Sequence, residues 1–425
     1  MSFLHWATRF GVASLAVALT VGTSAAQPVD APPLRLEDAF ARALNDAPGL
    51  EASLQAQRAA EAGVRQADRA INPAIELGAE NFGGWSSYQW IGRAETTLSF
   101  SQSLELGGDR EARTQLAGTG VRAAQRDNAL RRQDLLFAVE TAYVAAQFSA
   151  ANLAVANDRL AVAQEIVATV DRRVQAARDP LMAASRSQAL LADAEIAVTS
   201  ARLAAEAARA QLASYWGGDT AFAIDLSGFT KPVSDPDDPP SIDSSPEIAR
   251  AQVEEERATA NLAVERARAQ PDPTVSAGVR YFNEFDEAAF VVGVTIPLTW
   301  WDDNSGAVER ASAERSKVRL EAQALRRNLE REAASVSAQM EIARAEVAAI
   351  DERLLPAAEQ ALQRAREGYA AGAFAYLDVL DAQRVLVDAR LQRNSALGSY
   401  HRARAALARL SGAYAGFEPA REMSR

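Results

Sequence analysis

Cysteine is absent from this 425-residue chain, which excludes a disulfide, a thiol nucleophile and a thiolate metal site. Histidine is nearly absent, with only His5 and His401. No Ser/His/Asp order, glycine-rich phosphate loop or His-rich metal spacing is present, so no catalytic, cofactor-binding or metal-ligating residue is expected and the chain does not read as an enzyme. A basic excess is also missing. The formal charge of -11 argues against a nucleic-acid partner, because a phosphate-binding surface needs clustered positive charge. Beyond the first 26 residues no stretch approaches the ~20 apolar residues of a transmembrane helix, so any membrane insertion must use strands.

What the chain has is alanine, periodicity and internal likeness. Apolar residues make up 48% and the 16 prolines gather at junctions, a composition of long helices joined at defined places. A compact chain of this length would usually divide, since single cores stop growing near ~250–300 residues; an elongated fold escapes that limit. Residues 1–26 read as an export signal: Arg9, an apolar run from Phe10 to Val21, then Ser24, Ala25 and Ala26 before Gln27. Cleavage after Ala26 removes one arginine and no acidic residue, taking the charge from -11 to -12. An uncleaved anchor is the alternative.

Pro73, Leu104 to Gly108, Ala177 and Gly217 recur in order near Pro273, Leu298, Gly372 and Gly412, at offsets of about 195 to 200 residues. Two copies are too few for a solenoid and suggest a symmetric assembly whose halves do equivalent jobs. The expected organisation is a signal peptide (1–26), a first repeat (27–225), an acidic proline-rich linker (226–245), a second repeat (246–414) and a tail (415–425).

From Asp109 to Ala177 there is no proline, and Gly118 and Gly120 lie near the start, so one long helix is permitted. Its apolar positions step by four and three through Leu135, Val139, Ala142, Ala146, Ser149, Leu153, Ala156, Leu160, Ala163, Val167, Val170 and Val174, a coiled-coil seam. A second long helix, Ser305 to Ala371, repeats it through Ala333, Val336, Met340, Ala343, Val347, Ile350, Leu354, Ala357 and Ala361. At ~1.5 Å per residue each helix is roughly 100 Å long and needs partners along its whole length. Leu36–Ile71 with Leu181–Trp216, and Pro246–Gln270 with Tyr376–Gly412, have about the combined lengths to lie end to end beside them. The result is a rod. Pro356 should kink the second long helix, or split it in two; a heptad phase continuing through Leu354 and Ala357 favours the kink.

Four segments alternate instead. Ile75, Leu77 and Ala79 oppose Glu76 and Glu80 in Ala74–Phe82, and Leu98 and Phe100 oppose Thr97, Ser99 and Ser101 in Glu95–Leu104. Val275, Ala277, Val279 and Tyr281 oppose Ser276 and Arg280 in Thr274–Phe282, and Phe290, Val292, Val294 and Ile296 share a face in Ala289–Leu298. Each is near the ~9–11 residues that cross a bilayer as a tilted strand. Trp85, Tyr88 and Trp90 between the first two strands, and Trp300 and Trp301 after the fourth, suit the two membrane interfaces. An ordinary sheet over a soluble core is the alternative. Closed membrane barrels start near ~8 strands, so copies must associate; two would supply eight and three would supply twelve.

Ser101-Gln102-Ser103-Leu104-Glu105-Leu106-Gly107-Gly108, and Gly368-Tyr369-Ala370-Ala371-Gly372 followed by Leu377-Asp378-Val379-Leu380-Asp381-Ala382-Gln383, resemble the TolC-type outer-membrane efflux proteins, and the likeness runs from Leu36 to Gly412. The first motif looks most like the CzcC-type branch, which serves heavy-metal efflux pumps. The resemblance implies a mainly α fold with a membrane β-barrel: a homotrimer with a 12-stranded barrel in outer-membrane lipid and a 12-helix periplasmic tunnel. Such a channel takes substrates, heavy-metal cations or otherwise drugs or small organics, from an inner-membrane pump of RND type through a periplasmic adaptor (membrane fusion) protein. The turns holding Ala177, Pro180 and Leu181, and Gly372 and Phe374, would be the tips that narrow the channel and meet the adaptor.

Asp378 and Asp381 lie on one helical face, where like charges repel. The macrodipole at a helix start accounts for them equally well as a constriction that favours cations. By the resemblance Tyr369 matches a gate tyrosine, whereas Phe374 stands where some relatives have a gate arginine, so the closing network must differ. Many relatives carry a lipidated N-terminal cysteine; with none here, the barrel alone is expected to hold the chain. A periplasmic adaptor and a structural coiled-coil envelope protein compete with this reading. The adaptor has one hairpin rather than two rods, and the coiled coil needs no duplicated ten-residue strands.

Overall fold

The computed structural model describes residues 32–232 and 241–418. The expected signal peptide, the acidic run Asp235 to Asp238 of the linker and the end of the tail lie outside the described residues. α3 (Asp109–Gln175) is unbroken over 67 residues, and α4 (Leu181–Ala213) returns along it. Where one helix was expected before the sheet there are two, α1 (Leu36–Asn45) and α2 (Pro48–Ala67). Ala47 is extended (φ -95°, ψ 93°), because Pro48 bars a helical conformation in the residue before it and then takes the first helical position itself.

The second half contributes α5 (Pro246–Arg268), α6 (Ser305–Ala349), α7 (Leu355–Ala371) and α8 (Tyr376–Ser411). α2 and α4 pack along α3, while α5 packs along α6 and α8 along both α6 and α7; α5 and α8 also touch α3 and join the halves. The expected α3 seam is buried at Val139, Ala142, Ala146, Ala156, Ala163 and Val170.

The second seam departs from expectation. Met340, Ala343, Val347 and Ile350 are buried in phase, but beyond them the buried positions are Ala358, Leu362, Ala365 and Tyr369, while Leu354, Ala357 and Ala361 are exposed. A π-helical turn, Ile350–Leu354, separates α6 from α7, and the Leu355 N–H reaches back five residues to the Ile350 carbonyl. One extra residue is absorbed there, which moves the seam by one position. Pro356, second in α7, has no N–H to give, and the widened turn lies directly before it.

Strands β1 (Ala74–Glu80), β2 (Glu95–Ser103), β3 (Thr274–Phe282) and β4 (Glu287–Thr295) form one antiparallel sheet in that order. β4 begins and ends earlier than the expected Ala289–Leu298, stopping short of Pro297. Ile75, Phe100, Ala277 and Val292 align across the sheet, as do Leu77, Leu98, Val279 and Phe290. These apolar side chains stand on an uncovered face; Phe290 is 90% exposed and Ile75 76%. At ~25 cal/mol per Å², leaving such large side chains in water forgoes about 1.5–3 kcal/mol each, which makes an apolar surrounding the natural seat of this face.

One packed cluster lies against the middle of α3. Leu34 bridges Ile224, Phe40 meets Tyr414 and Phe417 edge-on, and Leu136, Val139, Leu212 and Trp216 close the cluster. Three pairs of left-handed residues, Gly108 with Asn304, Ala177 with Gly372 and Gly217 with Gly412, are each 195 or 196 residues apart.

Candidate functional site

At the end of the rod away from the sheet, the chain turns twice in the same way. After α3 the Ala177 N–H bonds to Val174 O (3.0 Å) and the Arg178 N–H to Arg173 O (2.8 Å), with Ala177 left-handed at φ 53°. After α7 the Gly372 N–H bonds to Tyr369 O (3.0 Å) and the Ala373 N–H to Gly368 O (2.8 Å), with Gly372 at φ 77°. Both pairs of bonds define a Schellman cap, whose left-handed residue favours glycine. Pro180 is extended and sets the start of α4, leaving Leu181 and Met182 exposed at the very tip.

A polar cluster ties the two turns together. Arg173 donates to both oxygens of Asp179 (2.9 and 3.3 Å) and to Tyr369 O (3.0 Å), and its guanidinium lies 4.5 Å from the centre of the Tyr369 ring. The Tyr369 hydroxyl donates to Asp179 Oδ2 at 2.5 Å. The Arg173 hydrogen bond, reinforced by that from Tyr369, holds the Asp179 carboxyl below the usual carboxylate range. Burial, then the carboxylate, pushes the Tyr369 hydroxyl well above its ordinary value. Tyr376 packs beside Tyr369 (5.9 Å between ring centres), and burial raises it to about 12.

Asp378 caps its own helix by accepting from the Ala375 N–H at 2.8 Å, and Asp381 is exposed one turn on. Phe374 does not join the polar cluster: it lies against the bare backbone of Gly368, where an added Cβ would come within 2.1 Å of the ring. The sequence motifs single out neither Arg173 nor Asp179. The Asp179-Pro180 pair is a turn signal, but nothing in the spacing links it to an arginine six residues back.

At the other end, Trp85, Tyr88 and Trp90 lie in the β1–β2 loop and Trp300 and Trp301 follow β4, all exposed and at opposite ends of the sheet. The second face of the sheet is polar: Arg280 donates to Thr97 Oγ1 (2.9 Å) and Glu95 Oε2 (3.2 Å), on the side that carries Glu76 and Glu80. Among the described residues no helix is long and apolar enough to cross a membrane, and no group of three or more His, Cys, Asp or Glu could hold a metal ion.

A long helical rod carrying a small sheet with one exposed apolar face and one polar face is the build of an outer-membrane channel chain. The chain belongs to the outer membrane efflux protein family, whose profile matches residues 40–218 and 241–413. It is an outer-membrane efflux channel and not an enzyme. The cobalt-zinc-cadmium resistance protein CzcC of Cupriavidus metallidurans is 30% identical over 89% of this chain and 90% of its own length. The nickel and cobalt resistance protein CnrC of the same organism is 32% identical over 66% and 69%. The fold matches the solved structure of CusC with a TM-score of 0.74, at 20% identity over 88% of this chain and 91% of that one. VceC from Vibrio cholerae gives 0.72, at 21% identity over 89% and 96%.

Proposed function

We propose that three copies of this chain close a 12-stranded barrel and a helical tunnel, and that the channel exports divalent metal cations. Four strands with an apolar outer face and two edges unpaired among the described residues carry this reading, because neither edge can remain open in lipid. Family members work with an inner-membrane pump and a periplasmic adaptor. Here the partners are an RND-type pump and an adaptor docking at Leu181, Met182 and the Gly372 turn. Likeness to cobalt, zinc, cadmium and nickel resistance proteins supports the cargo. Residues 1–26 are the export signal, and the barrel, without a lipid anchor, holds the chain.

In this assembly Asp378 and Asp381 of three copies ring the tunnel mouth and favour cations, while the Arg173–Asp179–Tyr369 cluster keeps the two tip turns of each copy together. Pro356 and the π-turn bend the rod above the tip. The tryptophans seat in the two interfaces. The two halves are copies of one unit, in keeping with the paired left-handed residues and the two matched segments.

A strain lacking this chain tests the cargo through cell-associated cobalt, zinc and cadmium after a metal pulse. Retention of the metals, reversed by the restored gene, is the expected outcome. Unchanged metal content with loss of organic-dye efflux would assign the channel to small organic molecules.

A further inference from the structure

Along α8, Tyr376, Val379, Gln383 and Leu386 follow at steps of three and four and are all buried, so one stripe of this helix faces the interior of the tip. Tyr376, Val379 and Leu386 pack there with Val170 of α3, Ala183 of α4 and Tyr369 of α7. Gln383 is 5% exposed in the same stripe, and neither its Oε1 nor its Nε2 has a hydrogen-bond partner among the described residues. The buried Tyr376 hydroxyl is unpartnered as well.

Gln383 is an exception within its helix. Of the other buried polar residues of α8, Asn394 donates to Asn152 Oδ1 at 3.0 Å, His401 Nε2 lies 3.3 Å from Phe229 O, and Ser411 donates to Ala408 O at 3.3 Å. The first half of the chain meets the same demand differently. Ala183 and Ser187 stand 196 residues before Val379 and Gln383, and the fully buried Ser187 hydroxyl donates to Ala184 O at 2.9 Å. A side-chain amide offers two donors and an acceptor, and taking it out of water without replacing its hydrogen bonds opposes the packing that buries it. A leucine would complete the stripe at a gain. Within the motif from Leu377 to Gln383, then, one core position works against its own core, the kind of local conflict that functional elements carry.

We propose that Gln383 is a positioning residue of the mouth: its unpaired amide keeps the packed tip near balance, so that α8 leaves this packing readily and the amide regains its hydrogen bonds in water. The inference rests on the reading that the packed tip, held by Arg173, Asp179 and Tyr369, is the closed one. Gln383 acts through the fit of α8 against α3 and α7, not through contact with cargo.

Single-channel recording of Gln383→Leu in planar bilayers tests this, with Tyr369→Phe measured beside it. The leucine should make openings about tenfold rarer than in the parent and slow hydrogen exchange at Ala382 to Leu386 by a similar factor. Added to Tyr369→Phe, it should bring the opening frequency back toward that of the parent. Gln383→Met, which keeps the length and loses the amide, gives the same reading if the leucine variant does not assemble. Openings as frequent as in the parent, or more frequent, while Tyr369→Phe still opens the mouth, overturn the proposal and leave the closed-tip reading standing. If neither substitution alters conductance, the closed-tip reading fails and the proposal falls with it.

Discussion

Asp179 accepts the Tyr369 hydroxyl at 2.5 Å, joining the first tip turn to α7, 190 residues further along the chain. Arg173 secures the arrangement from below, pairing with the carboxylate and covering the tyrosine ring. A hydrogen bond to a charged group contributes about 1.5–3 kcal/mol, enough to bias a conformational equilibrium at the tip by tenfold or more.

Replacing Tyr369 with Phe keeps the ring and deletes that bond. Single-channel recording in planar bilayers should then show a larger or more frequently open conductance than the parent. Identical conductance would mean that the bond does not restrain the tip.

How much of this was legible beforehand depended on the range of the interaction. The strands, the unbroken α3 and its seam follow from periods of 2 and 3.5 that every residue repeats, and they emerged within a few positions. The break at Pro48 is masked by an apolar pattern that continues across it, although proline stiffness supplies the signal. The phase shift after Ile350 depends on one residue absorbed in a π-turn, which no period reveals. Arg173 with Asp179 is a contact across a turn, and it takes its role from Tyr369 in the other half. Gly368 belongs to a recognisable motif, but that its lack of a side chain admits Phe374 is visible only in the fold.

At their left-handed position the two Schellman turns carry different residues, Ala177 against Gly372. A left-handed alanine costs about 1–2 kcal/mol that glycine avoids. Ala177→Gly should raise tip stability by about 1 kcal/mol, less the entropy that glycine adds to the unfolded chain, and Gly372→Ala should lower it. Hydrogen exchange at Arg178 and Ala373 measures both; equal protection in all variants would contradict the strain.

His401 is buried between Phe229, on which it stacks, and Tyr400, with Nε2 3.3 Å from the Phe229 carbonyl oxygen. Burial, helped by nearby Arg404, lowers its pKa from 6.5 to about 4. The unfolded chain therefore binds this proton between pH 6.5 and 4 while the folded chain does not. Stability contributed by neutral His401 is complete above pH 6.5 and falls as the pH drops toward 4, by about 3 kcal/mol at most. Thermal melts of His401→Gln should lose that part of the pH dependence; parallel curves for variant and parent would refute it.

Asp378 and Asp381 differ in what neutralisation should do. Asp378→Asn weakens a helix cap, at a cost of a few tenths of a kcal/mol, whereas Asp381→Asn leaves the fold unaffected. If both line the tunnel mouth, the double variant should shift the reversal potential under a salt gradient toward zero as cation preference falls. An unchanged potential would remove both from the constriction.

Native mass of the particle extracted from the outer membrane into mild detergent tests most directly whether sister copies complete the barrel. Three chains per particle is the predicted result, and a particle holding one chain would contradict the account.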